Sequence, residues 1–204
     1  MKHLLLLIVI GFAIGIVLGF MNIAFNFWIF AGLLVVAFFV LSFQDIRFMF
    51  LSKDVKRIEK YLEKKRHEPY YGFILELANG NLPEAKKQLE DLEKKWKGKK
   101  TAIFRAQYYL RVGNIVRAKE EAELIDQSDM KNYVLTAIAA MEKDDEKVEE
   151  LKGTLKKDWM RNVIETERAK NKKNYALAKE NRDLALASTK GLQYFMIYKE
   201  YENL

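Results

Sequence analysis

The stretch LANGNLPEAKKQLEDL, Leu77–Leu92, recurs in altered form 33 residues later as LRVGNIVRAKEEAELI, Leu110–Ile125. The two copies align without gaps and are identical at two dipeptides, Gly80-Asn81 with Gly113-Asn114 and Ala85-Lys86 with Ala118-Lys119. Each copy is typical of the end of one helix, a Gly-Asn turn, and a second helix with a small residue near its start, because Gly and Asn tolerate the left-handed backbone that ends helices. The repeat therefore predicts an all-α fold built from helix pairs.

This pattern resembles the tetratricopeptide repeat (TPR), a helix–turn–helix unit with a period of 34 residues. The second copy carries the resemblance best, with matching residues at Ala106, Tyr109, Gly113, Ala118, Ala122 and Ile125. The first copy keeps Gly80, Ala85 and Leu89 but lacks the Ala/Tyr pair, and its Pro83 falls in the first turn of a helix, where proline is tolerated. The resemblance implies a TPR-like α-solenoid.

Two later stretches, 133–155 and 159–188, repeat the helix–turn–helix rhythm without the turn glycine. Val148 stands near the alanine position of the first two copies, and Ala178 stands about where the resemblance implies an alanine. A final amphipathic helix, GLQYFMIYKEY, is expected to cap the stack with Leu192, Phe195, Met196 and Tyr198, since solenoids need capped ends. The predicted repeat domain covers 69–204, and the resemblance covers about 69–188.

A stack of this kind has a concave face lined by the first helix of each pair, and such faces bind extended peptides or partner helices. The residues predicted for a partner-binding face are Arg105, Tyr108, Arg111 and Asn132. For Tyr108 the alternative is a core position, because an aromatic side chain at helical spacing is often buried. These residues mark a region for a protein partner of unknown identity.

The N-terminal part of the chain is almost free of charge. Residues 1–43 contain one charged side chain, Lys2, whereas the remaining residues contain all 28 acids and 34 of the 35 lysines and arginines. Two apolar runs, Leu4–Phe20 and Ile23–Phe43, meet at the short link Met21-Asn22 and predict a transmembrane helical hairpin over 1–43. A cleaved signal peptide is the competing interpretation, but there is no clear cleavage site and a second apolar run follows.

Three glycines, Gly11, Gly15 and Gly19, recur every fourth residue along the first apolar run. Small residues at this spacing let helices approach closely in lipid, so these glycines are predicted to pack against Ala31-Gly32 and Ala37 of the second run. Association between molecules, which would give a homo-oligomer, and the general frequency of glycine in membrane helices are the alternatives.

Residues 44–68 are predicted to form a basic amphipathic juxtamembrane helix that ends before Pro69. Its apolar residues follow helical spacing at Phe48, Leu51, Val55, Ile58 and Leu62, which favours packing on the following domain over a short coiled coil. Many lysines and arginines follow the second apolar run, so the positive-inside rule predicts a multi-pass protein of the cell membrane with both ends in the cytoplasm.

The sequence contains no glycine-rich phosphate loop, no serine-hydrolase elbow and no cluster of metal ligands. There are no cysteines, the histidines His3 and His67 are far apart, and the acid pair Asp144-Asp145 is expected in a solvated turn, so no enzyme activity, cofactor or metal is predicted. Basic residues alternate with acids, which argues against nucleic-acid binding. The lysine-rich, cysteine-free composition suits a bacterium.

Two functions from different classes remain. The favoured one is a non-catalytic adaptor or scaffold that recruits a protein partner to the membrane through the repeat domain. The alternative is a membrane-assembly component whose glycine-faced hairpin binds helices of another integral membrane protein.

Overall fold

The structure is a computed structural model that describes residue 9, residues 11–13 and 15–16, and residues 27–204. Within these ranges every regular element is a helix and no strand occurs, so the predicted all-α class is confirmed for the described chain. The chain divides into two compact units, an N-terminal unit over Met1–Met49 and a C-terminal unit over Phe50–Leu204.

In the N-terminal unit, helix α1 spans Phe27–Ile46 and leads into a π-helical turn, Arg47–Leu51. Considering the described residues alone, no helix has the length and apolar character needed to cross a membrane. The predicted transmembrane hairpin is therefore not supported by them. Most of the first apolar run, Leu4–Phe20, and the link Met21-Asn22 lie outside the described residues.

The C-terminal unit, whose residues are all described, is a stack of helix pairs. Its helices are α2 (Val55–Lys64), α3 (Pro69–Ala78), α4 (Leu82–Lys95), α5 (Ala102–Arg111), α6 (Ile115–Glu123), α7 (Ser128–Glu142), α8 (Asp145–Lys152), α9 (Asp158–Asn171), α10 (Tyr175–Ala187) and α11 (Gly191–Glu200). A 3₁₀ turn, Gly98–Thr101, precedes α5. The pairs are α3–α4, α5–α6, α7–α8 and α9–α10, and each pair packs against the next.

The same turn joins the two helices of every pair. In each turn one residue has a left-handed backbone: Gly80 (φ 73°), Gly113 (φ 74°), Lys143 (φ 59°) and Lys173 (φ 58°). Its N–H donates to the carbonyl three residues back, and the next N–H donates to the carbonyl five residues back, at 2.8–3.2 Å. These two bonds define the Schellman helix ending. The third and fourth copies therefore share the turn of the first two, although lysine stands in place of glycine.

A small or medium apolar residue is buried five positions after each left-handed residue. These residues are Ala85, Ala118, Val148 and Ala178, and all four are fully buried. Because the distance between packed helices depends on the side chains at their contact, short side chains here let the second helix lie close to its partner. The predicted equivalence of these four positions is confirmed.

Replacing Lys173 with glycine is expected to raise the free energy of unfolding by about 0.5–1 kcal/mol. Left-handed backbone strains a residue with a Cβ, whereas glycine adopts it freely, and the gain exceeds glycine's extra entropy in the unfolded chain. The same change at Lys143 is expected to act alike. The matched control is Lys179→Gly in the interior of α10, expected to lower stability by about 1 kcal/mol. Thermal unfolding followed by circular dichroism measures both, and equal losses at Lys173 and Lys179 would contradict the assigned turn.

The segment 44–68 does not form the single helix predicted from its apolar spacing. Helix α1 ends at Ile46, and α2 begins only at Val55, where the Asp54 carboxylate accepts a hydrogen bond from the Arg57 N–H at 3.1 Å and caps the new helix. From α2, Ile58 and Leu62 are fully buried, and the helix packs against α3 and α11. Packing on the following domain is thus the observed alternative.

The last helix, α11, does not cap the end of the stack as expected. It contacts α10, its neighbour in sequence, but also α2 and α3 at the opposite end of the unit. The Gly191 N–H donates to the Ser52 carbonyl at 2.7 Å, and the Lys53 ammonium donates to the Ala187 carbonyl at 2.9 Å. The end of the C-terminal unit is thereby bonded to its beginning.

Candidate partner-binding site

The surface formed by the first helices of the pairs, α3, α5, α7 and α9, is called here the first-helix face. Helix α11 crosses this face instead of leaving it open. Glu200 pairs with Arg111 of α5, and the Lys170 ammonium of α9 lies 5.1 Å from the ring centre of Tyr201. A helix of this chain therefore occupies the place where an open stack would receive a partner.

Tyr201, just after α11, is one of the residues that hold α11 on the first-helix face. Its side chain is buried, and the Glu167 carboxylate of α9 lies near its hydroxyl. Burial first, and then the negative charge of Glu167, raise the pKa of Tyr201 well above its usual value, so the hydroxyl stays protonated. On the other side of the helix, the Lys199 ammonium pairs with Glu59 of α2 at 3.0 Å.

Arg105, predicted on the partner-binding face, is engaged between elements of the chain. Its guanidinium pairs with Glu93 of α4 at 3.1 Å and with Glu121 of α6 at 2.6 Å, and it donates to the Thr101 hydroxyl at 2.6 Å. Burial opposes its charge, but the ion pairs with Glu121 and Glu93 outweigh burial and raise the pKa of Arg105. This arginine links two helix pairs.

The other three predicted residues are not gathered into one free surface. Arg111 is paired with Glu200, the Asn132 amide donates to the Thr154 hydroxyl at 2.9 Å, and Tyr108 is half-buried with its ring 5.6 Å from that of Tyr109. Each side chain thus has a neighbour within the C-terminal unit. A partner on this face would compete with these contacts.

Sequence reasoning missed an exposed apolar pair on α10. Leu177 and Leu184 are 43% and 50% exposed, and their spacing of seven residues places both on one side of the helix. The signal was present in the sequence as two leucines a heptad apart, but the repeat pattern assigned α10 to the packed stack. Exposed leucines at this spacing are the pattern by which one helix contacts another.

The predicted acid pair Asp144-Asp145 has two different structural roles. The Asp144 carboxylate accepts from the Lys147 N–H at 3.0 Å and caps α8. Asp145 pairs with Lys172 at 3.1 Å and with Arg168 at 2.9 Å, and these bonds hold its pKa below the usual value. Among the described residues no group of histidines and acids is arranged to hold a metal ion.

The N-terminal unit exposes large apolar side chains. Phe12 and Trp28 are 73% and 79% exposed, and further exposed residues of this kind are Val9, Ile16, Leu33, Val35, Val36, Phe38, Phe39 and Phe43. On α1 the exposed positions cover more than half of the helix circumference, and the less exposed residues on the remaining side, Ala31, Leu34 and Ala37, are apolar too. A helix that is apolar all round is typical of a buried or membrane environment.

The glycine seam of the N-terminal unit is described only in part. Gly15 and Gly32 are exposed, and a Cβ added at either would meet no atom within 4 Å. Gly11 is half-buried, and Gly19 lies outside the described residues. At Gly15 and Gly32 the space beside the backbone is open to another helix.

No family model matches the sequence, and neither a curated protein nor a solved structure is found to be similar to it.

Proposed function

We propose that this chain is a membrane-attached, non-catalytic adaptor that recruits a protein partner through its TPR-like C-terminal unit. One observation carries the proposal: large apolar side chains are exposed over more than half of the circumference of α1, next in sequence to a unit that buries most of its large apolar side chains. Exposed apolar surface of more than a few hundred Å² usually marks an interaction with a membrane or a partner.

The bilayer is the environment that suits the N-terminal unit. Its exposed large apolar residues are phenylalanine, valine, leucine, isoleucine and tryptophan, and between residues 1 and 43 the only charge is Lys2. Moving each Å² of such surface out of water is favourable by about 25 cal/mol. The proposed attachment is the hairpin over 1–43 in the cell membrane, with the lysines and arginines after it placing the C-terminal unit in the cytoplasm.

The partner surface on the C-terminal unit is proposed to be the Leu177–Leu184 side of α10. The first-helix face is filled by α11, whereas these two leucines project into solvent from a helix held by its contacts with α9 and α11. The partner chemistry that fits is an apolar helix stripe.

The glycine-faced hairpin as a membrane-assembly component is retained as a second candidate. It is favoured by Gly15 and Gly32, beside which no described atom lies within contact distance. A helix of another membrane protein would fit against such a smooth surface.

One experiment on the full-length chain separates these functions. Membranes containing tagged protein are first extracted with alkaline carbonate, and the chain is expected to stay with the lipid. Partners cross-linked in intact membranes are then quantified for the wild type, for Leu177→Ser/Leu184→Ser, and for Gly15→Leu/Gly32→Leu.

Loss of the same partner in the leucine variant but not in the glycine variant is the result expected for the adaptor. The reverse pattern would assign the function to the hairpin. Release of the chain by carbonate would overturn membrane attachment. Val116→Ser, at an exposed apolar position on α6, is the matched control and should leave capture unchanged.

A further inference from the structure

The last turn of α4 and the connection that follows it to α5 concentrate positive charge. Residues 94–100, KKWKGKK, contain five lysines and no acid, and all seven residues are exposed. Lys94 pairs with Asp91 at 2.7 Å, and Lys99 lies 3.9 Å from Asp126. Within the described chain the other three, Lys95, Lys97 and Lys100, have no carboxylate within ion-pair distance.

Trp96 stands in the middle of these lysines with its ring half outside the protein. Its inner edge packs on Tyr70 and Phe104, each 5.9 Å away between ring centres, while 39% of the residue is exposed. Tryptophan combines a large apolar body with one N–H donor, and it is enriched where an apolar phase meets water. The aromatic packing holds the indole at this position.

A groove of about 420 Å³ lies beside the same connection. Its apolar walls come from Trp96, Ile103 and Ile125, and its polar lining consists of Lys99, Lys100, Asp126 and Gln127. Two lysines beside an apolar wall suit a group that carries negative charge next to hydrocarbon, and Asp126, 3.9 Å from Lys99, offsets part of their charge.

We infer that residues 94–100 dock on the anionic headgroup region of the membrane to which the chain is attached. The lysines would face lipid phosphates, and Trp96 would enter the boundary between headgroups and acyl chains. This inference rests on the proposed membrane attachment of the N-terminal unit.

Two features favour lipid over an acidic protein as the occupant. All five cations are lysines, which act as flexible point charges, and there is no arginine to give the forked geometry that recognises a particular carboxylate. The C-terminal unit begins at Phe50, directly after the proposed membrane attachment, so a lipid surface is always near it. This attachment raises the effective concentration of the lysines at the lipid surface, so individually weak contacts suffice for docking.

The expected strength follows from the number of unpaired lysines. Each lysine near an anionic surface favours binding by a factor of about five, so three give roughly a hundredfold shift toward the docked state relative to a neutral bilayer. The attraction is electrostatic and is expected to disappear in 1 M salt, where the screening length is about 3 Å.

The absence of cysteine from the sequence allows a direct test on the full chain. A spin label is attached at Lys97→Cys, and the protein is reconstituted into vesicles of phosphatidylcholine alone or with phosphatidylglycerol. Collision rates with oxygen, which concentrates in lipid, and with a water-soluble nickel chelate report the label's environment. Lys179→Cys on α10 is the matched control site.

We expect the label at 97 to move toward lipid only in the anionic vesicles and to return to water in 1 M salt. Because two unpaired lysines remain in this variant, the ratio of docked to undocked protein should be roughly 25-fold higher in the anionic vesicles than in the neutral ones. Adding Lys95→Glu/Lys100→Glu should abolish the shift, and the label at 179 should not respond.

A label at 97 that stays equally aqueous in both vesicles, while the chain resists carbonate, would overturn the docking and leave the proposed attachment intact. Protection that appears only when polyglutamate is added would assign the connection to an acidic protein instead. A chain that does not enter vesicles would overturn the attachment itself and, with it, this inference.

Discussion

Replacing Phe195 with alanine is expected to lower the free energy of unfolding by about 3–5 kcal/mol. Phe195 is 0% exposed and lies on α11, the helix that contacts α2, α3 and α10. Truncation removes the transfer free energy of the ring and leaves a cavity that several helices would have to close together. For a unit of this size the change corresponds to a fall in melting temperature of roughly 6–20 °C.

Thermal unfolding of the full chain in detergent, followed by circular dichroism, measures this effect. Val116→Ala on α6 is the control, because it also removes apolar atoms but from a side chain that is 69% exposed, and its melting temperature should hardly change. A small change at Phe195 would mean that α11 is weakly held. In that case a partner helix could displace it and use the first-helix face, and the proposed role of the α10 leucines would need revision.

The helix pairs could be predicted from the sequence because their signals are local. Gly80-Asn81 and Gly113-Asn114 predict the turns directly. The buried alanines follow five positions after each glycine. The third and fourth turns were harder, since lysine rarely adopts a left-handed backbone and nothing in its chemistry predicts one. There Asp144 and Asn174, which cap the following helices, were the readable signals.

The position of α11 could not be predicted, because it depends on contacts between distant parts of the chain. Its sequence predicts a helix with apolar residues on several sides, which indicates burial between other helices. It does not indicate which helices those are. The same limit applied to Arg105 and Arg111. The helical pattern around Arg105 and Arg111 predicts exposed side chains. In the structure their partners, Glu121 and Glu200, lie on α6 and α11, which the local pattern does not include.

Replacing Gly72 with alanine is expected to destabilise the C-terminal unit by about 1–3 kcal/mol. In the interior of an unhindered helix this change would stabilise by about 1 kcal/mol, because alanine is the better helix former. Gly72 lies on α3, where an added Cβ would stand 2.5 Å from the Gln88 side-chain oxygen of α4 and 2.7 Å from the Arg66 carbonyl oxygen. The expected sign is therefore opposite to that of helix propensity.

The backbone contact decides this sign. The Gln88 amide is the far end of a flexible side chain and can turn away, but the Arg66 carbonyl belongs to the connection between α2 and α3 and can move only with that connection. Such a movement would also disturb the ion pair of Arg66 with the buried Glu76, 2.7 Å long. Breaking it would leave a buried carboxylate with the Asn81 amide as its remaining hydrogen-bond donor in the C-terminal unit.

Gly153→Ala is the matched control, because this glycine has an ordinary backbone (φ −60°) and no atom within 4 Å of an added Cβ. It is expected to be neutral or to stabilise slightly by restricting the unfolded chain. Denaturant unfolding of both variants measures the difference. If Gly72→Ala proved as stable as Gly153→Ala, the close approach of α3 to the Arg66 backbone would be refuted, and with it the reason why this position in the first pair carries glycine.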